Sequence, residues 1–152
     1  MSNDGTDRIE KKINLSASLS RVWRAISDAE EFGTWFKVKL EAPLVAGTTV
    51  HGQITYPGYE HLRVELCVVE VSPERYLSYR WRPNAIDPTK DYSAEPMTLV
   101  EFKLEPTPEG TRLTVVESGF DGIPLARRAE AFRGNESGWS AQLENIERHV
   151  AQ

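Results

Sequence analysis

A chain of 152 residues is long enough for one hydrophobic core and short for two independent ones. Its 18 basic and 23 acidic residues leave a net charge of −5, which supplies no general attraction to nucleic acid or to an anionic membrane surface. A single cysteine, Cys67, excludes an intramolecular disulfide and any four-cysteine zinc or iron–sulfur site, and 39% apolar with 27% charged residues describes a globular chain.

Residues 1–7 are polar and read as a flexible tail ahead of one domain over residues 8–150. The opening MSNDGTDRIEKK has no apolar signal core, and no segment approaches the roughly 20 apolar residues a membrane span needs. A reducing cytoplasm is the expected setting for a chain with one thiol. Ile9, Ile13 and Leu15 indicate a first strand that ends at the serine-rich step Ser16–Ser20. Ser18 is the expected N-cap of a short amphipathic helix through Leu19, Val22 and Ile26, and a second helical piece runs through Phe32, Trp35 and Phe36.

From Val38 to Ser118 the pattern changes to alternation, with strands expected near 37–41, 48–56, 61–72, 75–82, 97–105 and 111–118. Breaks at Ala46-Gly47, Pro57-Gly58, Ser72-Pro73 and Pro106–Gly110 punctuate this meander, and Pro83–Pro96 reads as a surface loop. The last element is a helix carrying the stripe Leu125, Ala129, Phe132, Glu136, Trp139, Leu143, Ile146 and Val150, which only 3.6-residue periodicity puts on one face. Pro124 suits its start, while Gly134 and Gly138 suggest a kink or a close backbone approach. The whole reads as α+β: an antiparallel sheet of six to seven strands wrapped around a long C-terminal helix, with two short helices after strand 1.

Four stretches carry a family resemblance: SRVWRAISDAEEFGTWF at 20–36, VVEVSPERYLSYRW at 68–81, LVEFKLEPTPEGTRLTVVESGF at 99–120 and GWSAQLENIERHV at 138–150. In order and spacing they resemble the bacterial homologues of the C-terminal domain of the activator of the ninety-kilodalton heat-shock chaperone ATPase. That family is part of the START-like, or SRPBCC, superfamily. The resemblance implies a helix-grip fold, a curved antiparallel sheet gripping the C-terminal helix, with an apolar cavity between them that often holds a hydrophobic small molecule. It implies no defined reaction, because superfamily members include lipid binders, hormone receptors, cyclases, hydrolases and co-chaperones.

Alternation assigns the inward side chains as Leu77, Tyr79 and Trp81; Val100, Phe102 and Leu104; and Leu113, Val115 and Glu117. Glu117 thus faces the interior, and Glu136 on the helical stripe is expected to share it. One reading makes them a polar pocket anchor, or an acid–base carboxyl raised by desolvation. The other makes Glu117 a strand-end carboxylate bonding nearby backbone N–H groups, with Glu136 paired to a neighbour such as Arg133. The candidate ligand-contacting set is Trp35, Phe36, Tyr56, Tyr79, Trp81, Phe102, Glu117, Glu136, Trp139 and Leu143, chosen because large rings supply area while indole N–H and phenol O–H orient a ligand.

His51, His61 and His149 are scattered, and HExxH or paired CxxC motifs are missing, so neither a metal nor any other cofactor is expected. A His61–Glu117 dyad requires the sheet to bring the two together. Ser118 lacks the GxSxG context of a nucleophile elbow, Cys67 reads as a packed thiol, and Arg127-Arg128 as a solvated helix face. The expected function is noncatalytic binding of a small hydrophobic or aromatic molecule. Alternatives are a cyclase or hydrolase using Glu117, and a co-chaperone module that contacts a partner chaperone through its outer sheet face and the Pro83–Pro96 loop.

Overall fold

Period-two alternation becomes seven strands in a computed structural model that describes residues 7–83, 85 and 89–151. Nearly all of the expected tail, residues 1–6, lies outside the described residues, as do residues 84 and 86–88 of the expected loop. In chain order the elements are β1 (Arg8–Leu15), α1 (Leu19–Ser27), α2 (Ala29–Phe36), β2 (Val38–Leu40), β3 (Thr49–Ile54), β4 (Arg63–Ser72), β5 (Tyr76–Trp81), β6 (Thr98–Thr107), β7 (Gly110–Ser118), a 3₁₀ turn at Phe120–Gly122, and α3 (Leu125–Val150). The strand order β1-β7-β6-β5-β4-β3-β2 is antiparallel throughout. Strands β2 to β7 form a meander in which each pairs with the next, and β1 lies beside β7. The expected helix-grip architecture is observed.

Local chemistry explains the helix starts. Ser18 Oγ accepts the Arg21 N–H at the head of α1, and Asp28 Oδ1 accepts the Glu30 and Glu31 N–H groups at the head of α2. At its other end α2 stops in the left-handed Lys37, φ 69°. Gly33 is required because a Cβ there would collide with the Val38 carbonyl oxygen, so α2 lies tight against the strand that follows it. A bulge between Val68 and Glu70 shifts the β4–β5 register and adds local twist to the sheet.

The helix α3 runs unbroken, but its first half faces differently from the stripe read in the sequence. Leu125 is 78% exposed, and Ala129 and Glu136 are exposed as well. The buried face instead carries Arg127 and Ala131, then Trp139, Leu143, Ile146 and Val150, with half-buried Asn135 between. The reason is an ion pair. Arg127 donates to Glu95 at 2.7 Å and to the Pro83 carbonyl at 3.0 Å, and its guanidinium lies 4.8 Å from the Tyr92 ring centroid. The expectation of a solvated Arg127 is therefore corrected: a paired arginine holds the buried slot that hydrophobicity alone assigns to an apolar residue. Gly138 is not a close approach either, since nothing lies within 4 Å of a Cβ built on it.

Candidate functional site

Strand register builds the site. Glu117 on β7 stands opposite Val100 on β6, which stands opposite Tyr79 on β5; one step further along, Thr98 stands opposite Trp81. All of these face inward, so Trp81, Thr98 and Glu117 gather at one end of the sheet's concave face. From above, α3 lowers Asn135 and Trp139, four residues apart and hence on one helical face.

The Glu117 carboxylate is fully buried and lies in a cage of neutral donors. Trp81 Nε1 donates to Oε2 at 2.8 Å and Thr98 Oγ1 at 2.5 Å, while Trp139 Nε1 donates to Oε1 at 2.8 Å. Asn135 Nδ2 reaches both oxygens, at 2.9 and 3.1 Å. A carboxylate only accepts, so a set made wholly of donors satisfies it and offsets much of its desolvation. The partners are side chains of three other elements rather than the backbone N–H groups expected at a strand end. Glu117 thus ties β5, β6 and β7 to α3. His61 is exposed and takes no part, so the His61–Glu117 dyad does not form, and exposed Glu136 does not share the interior.

Two cavities flank the cage. The larger, about 410 Å³, has apolar walls from Phe36, Ile54, Leu62, Val64 and Trp81, and a polar rim that includes His51, Arg63, Glu65, Arg82 and Tyr92. The smaller, about 160 Å³, lies over Trp139, Gly138 and Gln142, where the missing glycine side chain leaves room. Phe36, Trp81 and Asn135 line both. The ring centroids of Phe36, Trp81 and Trp139 lie 5.8 to 6.0 Å apart, the spacing of tilted and edge-to-face packing. At the rim, Arg82 binds Glu65 at 3.0 Å and the Tyr92 and Ser93 carbonyls at 2.9 and 3.1 Å, which anchors the segment after β5 beside the opening.

The expected site residues therefore separate. Phe36, Trp81 and Trp139 line cavities, and Glu117 lies immediately behind them. Trp35, Tyr79 and Phe102 are sealed in the core: Trp35 Nε1 donates to the Ala25 carbonyl at 2.8 Å, and Phe102 is in edge-to-face contact with Trp139. Leu143 is buried one helical turn beyond Trp139. Tyr56 is half exposed beyond the end of β3, with its ring near that of Tyr59. The Tyr79 hydroxyl has no hydrogen-bond partner among the described residues, and burial together with the nearby Glu117 charge pushes its pKa well above the usual phenol value. Sequence reasoning missed Asn135, Gln142 and the β3–β4 wall. Asn135 was detectable as a polar residue four before Trp139, had the stripe been phased on Trp139 rather than on Leu125.

Among the described residues, no group of three or more His, Cys, Asp or Glu side chains is arranged to hold a metal ion, and no helix is long and apolar enough to cross a membrane. Residues 16–151 match the family described as Activator of Hsp90 ATPase homolog 1-like protein. The chain belongs to that family. Solved structures similar to this Activator of Hsp90 ATPase homolog 1-like chain include protein MLL2253 from Mesorhizobium loti, at 25% identity and a TM-score of 0.75, covering 95% of this chain and 96% of that one. Protein NE0264 from Nitrosomonas europaea is similar at 20% identity and a TM-score of 0.74, over 100% and 99% of the two chains. The Aha1 dimer from Colwellia psychrerythraea shares the fold at 15% identity and a TM-score of 0.70, over 94% and 95%. No curated protein matches the chain.

Proposed function

We propose that this family member acts as a single domain, residues 8–150, that binds a small apolar or aromatic molecule in the cleft walled by Phe36, Trp81 and the β3–β4 strands. The observation that carries this reading is the pair of aromatic-walled cavities meeting at Phe36, Trp81 and Asn135, the larger about 410 Å³. That volume falls in the range of roughly 300–1,000 Å³ common for small-molecule sites. Burial of apolar ligand surface at about 25 cal/mol per Å², less ordering costs, supplies the affinity. A fixed wall reduces those costs, and the Glu117 cage fixes two of its members, Trp81 and Asn135. Binding is favoured over catalysis because both Glu117 oxygens are already engaged, leaving this carboxyl without a free position for proton transfer. The single free thiol suits action in a reducing cytoplasm.

Native mass spectrometry of freshly purified protein tests the reading, paired with a titration against the fluorescent apolar probe 1-anilinonaphthalene-8-sulfonate. A retained small molecule, or saturable one-site probe binding, supports it. Protein that carries no molecule and shows no saturable binding overturns it.

A further inference from the structure

Among the described residues Asn135 is the one amide common to both cavities, and its orientation is not free. Its Nδ2 lies 2.9 and 3.1 Å from the two Glu117 oxygens. A carboxylate has no proton to give, so turning the amide over would set Oδ1 against two acceptors. Nδ2 therefore points inward, and Oδ1 receives no hydrogen bond from any described residue. The indole N–H groups of Trp81 and Trp139 are also consumed by Glu117, each at 2.8 Å. Where the two cavities meet, the aromatic faces of Phe36 and Trp81 thus adjoin an available acceptor, Asn135 Oδ1, while the indole N–H groups and the amide N–H group beside it are spent on Glu117.

We propose that Asn135 Oδ1 is the specificity-determining atom of this cleft, selecting apolar aromatic molecules that carry a hydrogen-bond donor, a hydroxyl or an N–H. Glu117 is the positioning residue that fixes the amide. The inference rests on the binding reading above and adds the chemistry of what is bound. An aromatic ring lies against Trp81 and Phe36 while its donor reaches Asn135 Oδ1. A molecule of the same shape whose oxygen only accepts leaves Oδ1 unpaired on binding.

The test is calorimetric titration of the full chain at pH 7 with 2-naphthol and with 2-methoxynaphthalene, which differ in whether the oxygen carries a proton. The expected result is about tenfold tighter binding of 2-naphthol, with that preference lost in Asn135→Leu, whose folding is checked by its thermal midpoint. Equal affinity of the two probes, a preference for the methoxy compound, or a preference that survives in a folded Asn135→Leu overturns the donor inference and leaves the binding reading standing. If neither probe binds, the donor inference falls, while the binding reading is decided by the native mass spectrometry and the fluorescent-probe titration above. Should Asn135→Leu fail to fold, the probe pair on the unaltered protein decides the matter.

Discussion

Two buried polar groups, a few ångströms from the same aromatic cluster, behave in opposite ways. Glu117 has an indole N–H on each oxygen, Trp81 on Oε2 and Trp139 on Oε1. Whichever oxygen becomes an amide nitrogen in Glu117→Gln, one indole then faces a donor and loses its acceptor. The expected cost is about 1–3 kcal/mol in urea unfolding, and a variant as stable as the parent would show that the cage contributes nothing. Tyr79 carries the reverse situation, a sealed hydroxyl with no partner among the described residues. Removing it in Tyr79→Phe is expected to raise stability by about 1 kcal/mol, since only a desolvation cost is lost. A loss of stability in the same measurement would mean that the hydroxyl is satisfied by buried water. The inward direction of both residues was readable from strand alternation. Their partners were not, because Asn135, Trp139 and Thr98 lie 18, 22 and 19 positions from Glu117 and meet it only through tertiary packing.

Among the elements, strands were more legible than the helix. A strand has two faces, so Leu77, Tyr79 and Trp81 or Leu113, Val115 and Glu117 identify the buried one without reference to anything else. A helix has a continuous range of facing directions, and the apolar residues Leu125 and Ala129 pulled the expected face of α3 away from the one it buries. Arg127 decides the matter by pairing with Glu95, whose side chain is 9% exposed. The hydrogen bond from Arg127 outweighs burial and, with the charges of Arg127 and Lys90, holds the Glu95 carboxyl below the usual carboxylate range. Arg127→Ala strips the largely buried Glu95 carboxylate of its guanidinium partner and leaves it the longer, 3.5 Å pair with the more exposed Lys90. The expected outcome is a loss of about 3 kcal/mol together with faster amide exchange over residues 90–95, read by hydrogen–deuterium exchange. Unchanged exchange there would mean that Arg127 does not hold the segment, which Arg82 also anchors.

For the molecule as a whole, one contribution to acid stability is expected from a junction where the last turn of α3 meets α1 and α2. Glu31 accepts from Arg21 at 2.8 Å and Arg24 at 2.7 Å, lies 3.0 Å from His149 Nε2, and Arg21 also reaches the His149 carbonyl at 3.3 Å. Burial pushes the Glu31 carboxyl upward, but bonds from His149, Arg21 and Arg24 with the Arg21 charge win and bring it from 4.5 to about 2. A carboxyl depressed in the folded state stabilises the protein above its unfolded pKa, and that contribution is lost as pH falls towards the folded value. Stability is therefore expected to decline between about pH 5 and pH 2, and Glu31→Gln should flatten that decline in urea titrations at stepped pH. An identical slope in the variant would assign the acid sensitivity to other carboxylates. By itself the sequence determined the α+β plan, the succession of strands and helices along the chain and the inward faces of β5, β6 and β7, because those follow from periodicity and turns that act between neighbours. Only the tertiary structure decided that Glu117 is caged, that Asn135 rather than Glu136 faces it, and that the open space lies against β3 and β4. These depend on the phase of one helix over the sheet, which the buried Arg127–Glu95 pair and the burial of Trp139, Leu143, Ile146 and Val150 fix together, through contacts with segments distant in sequence.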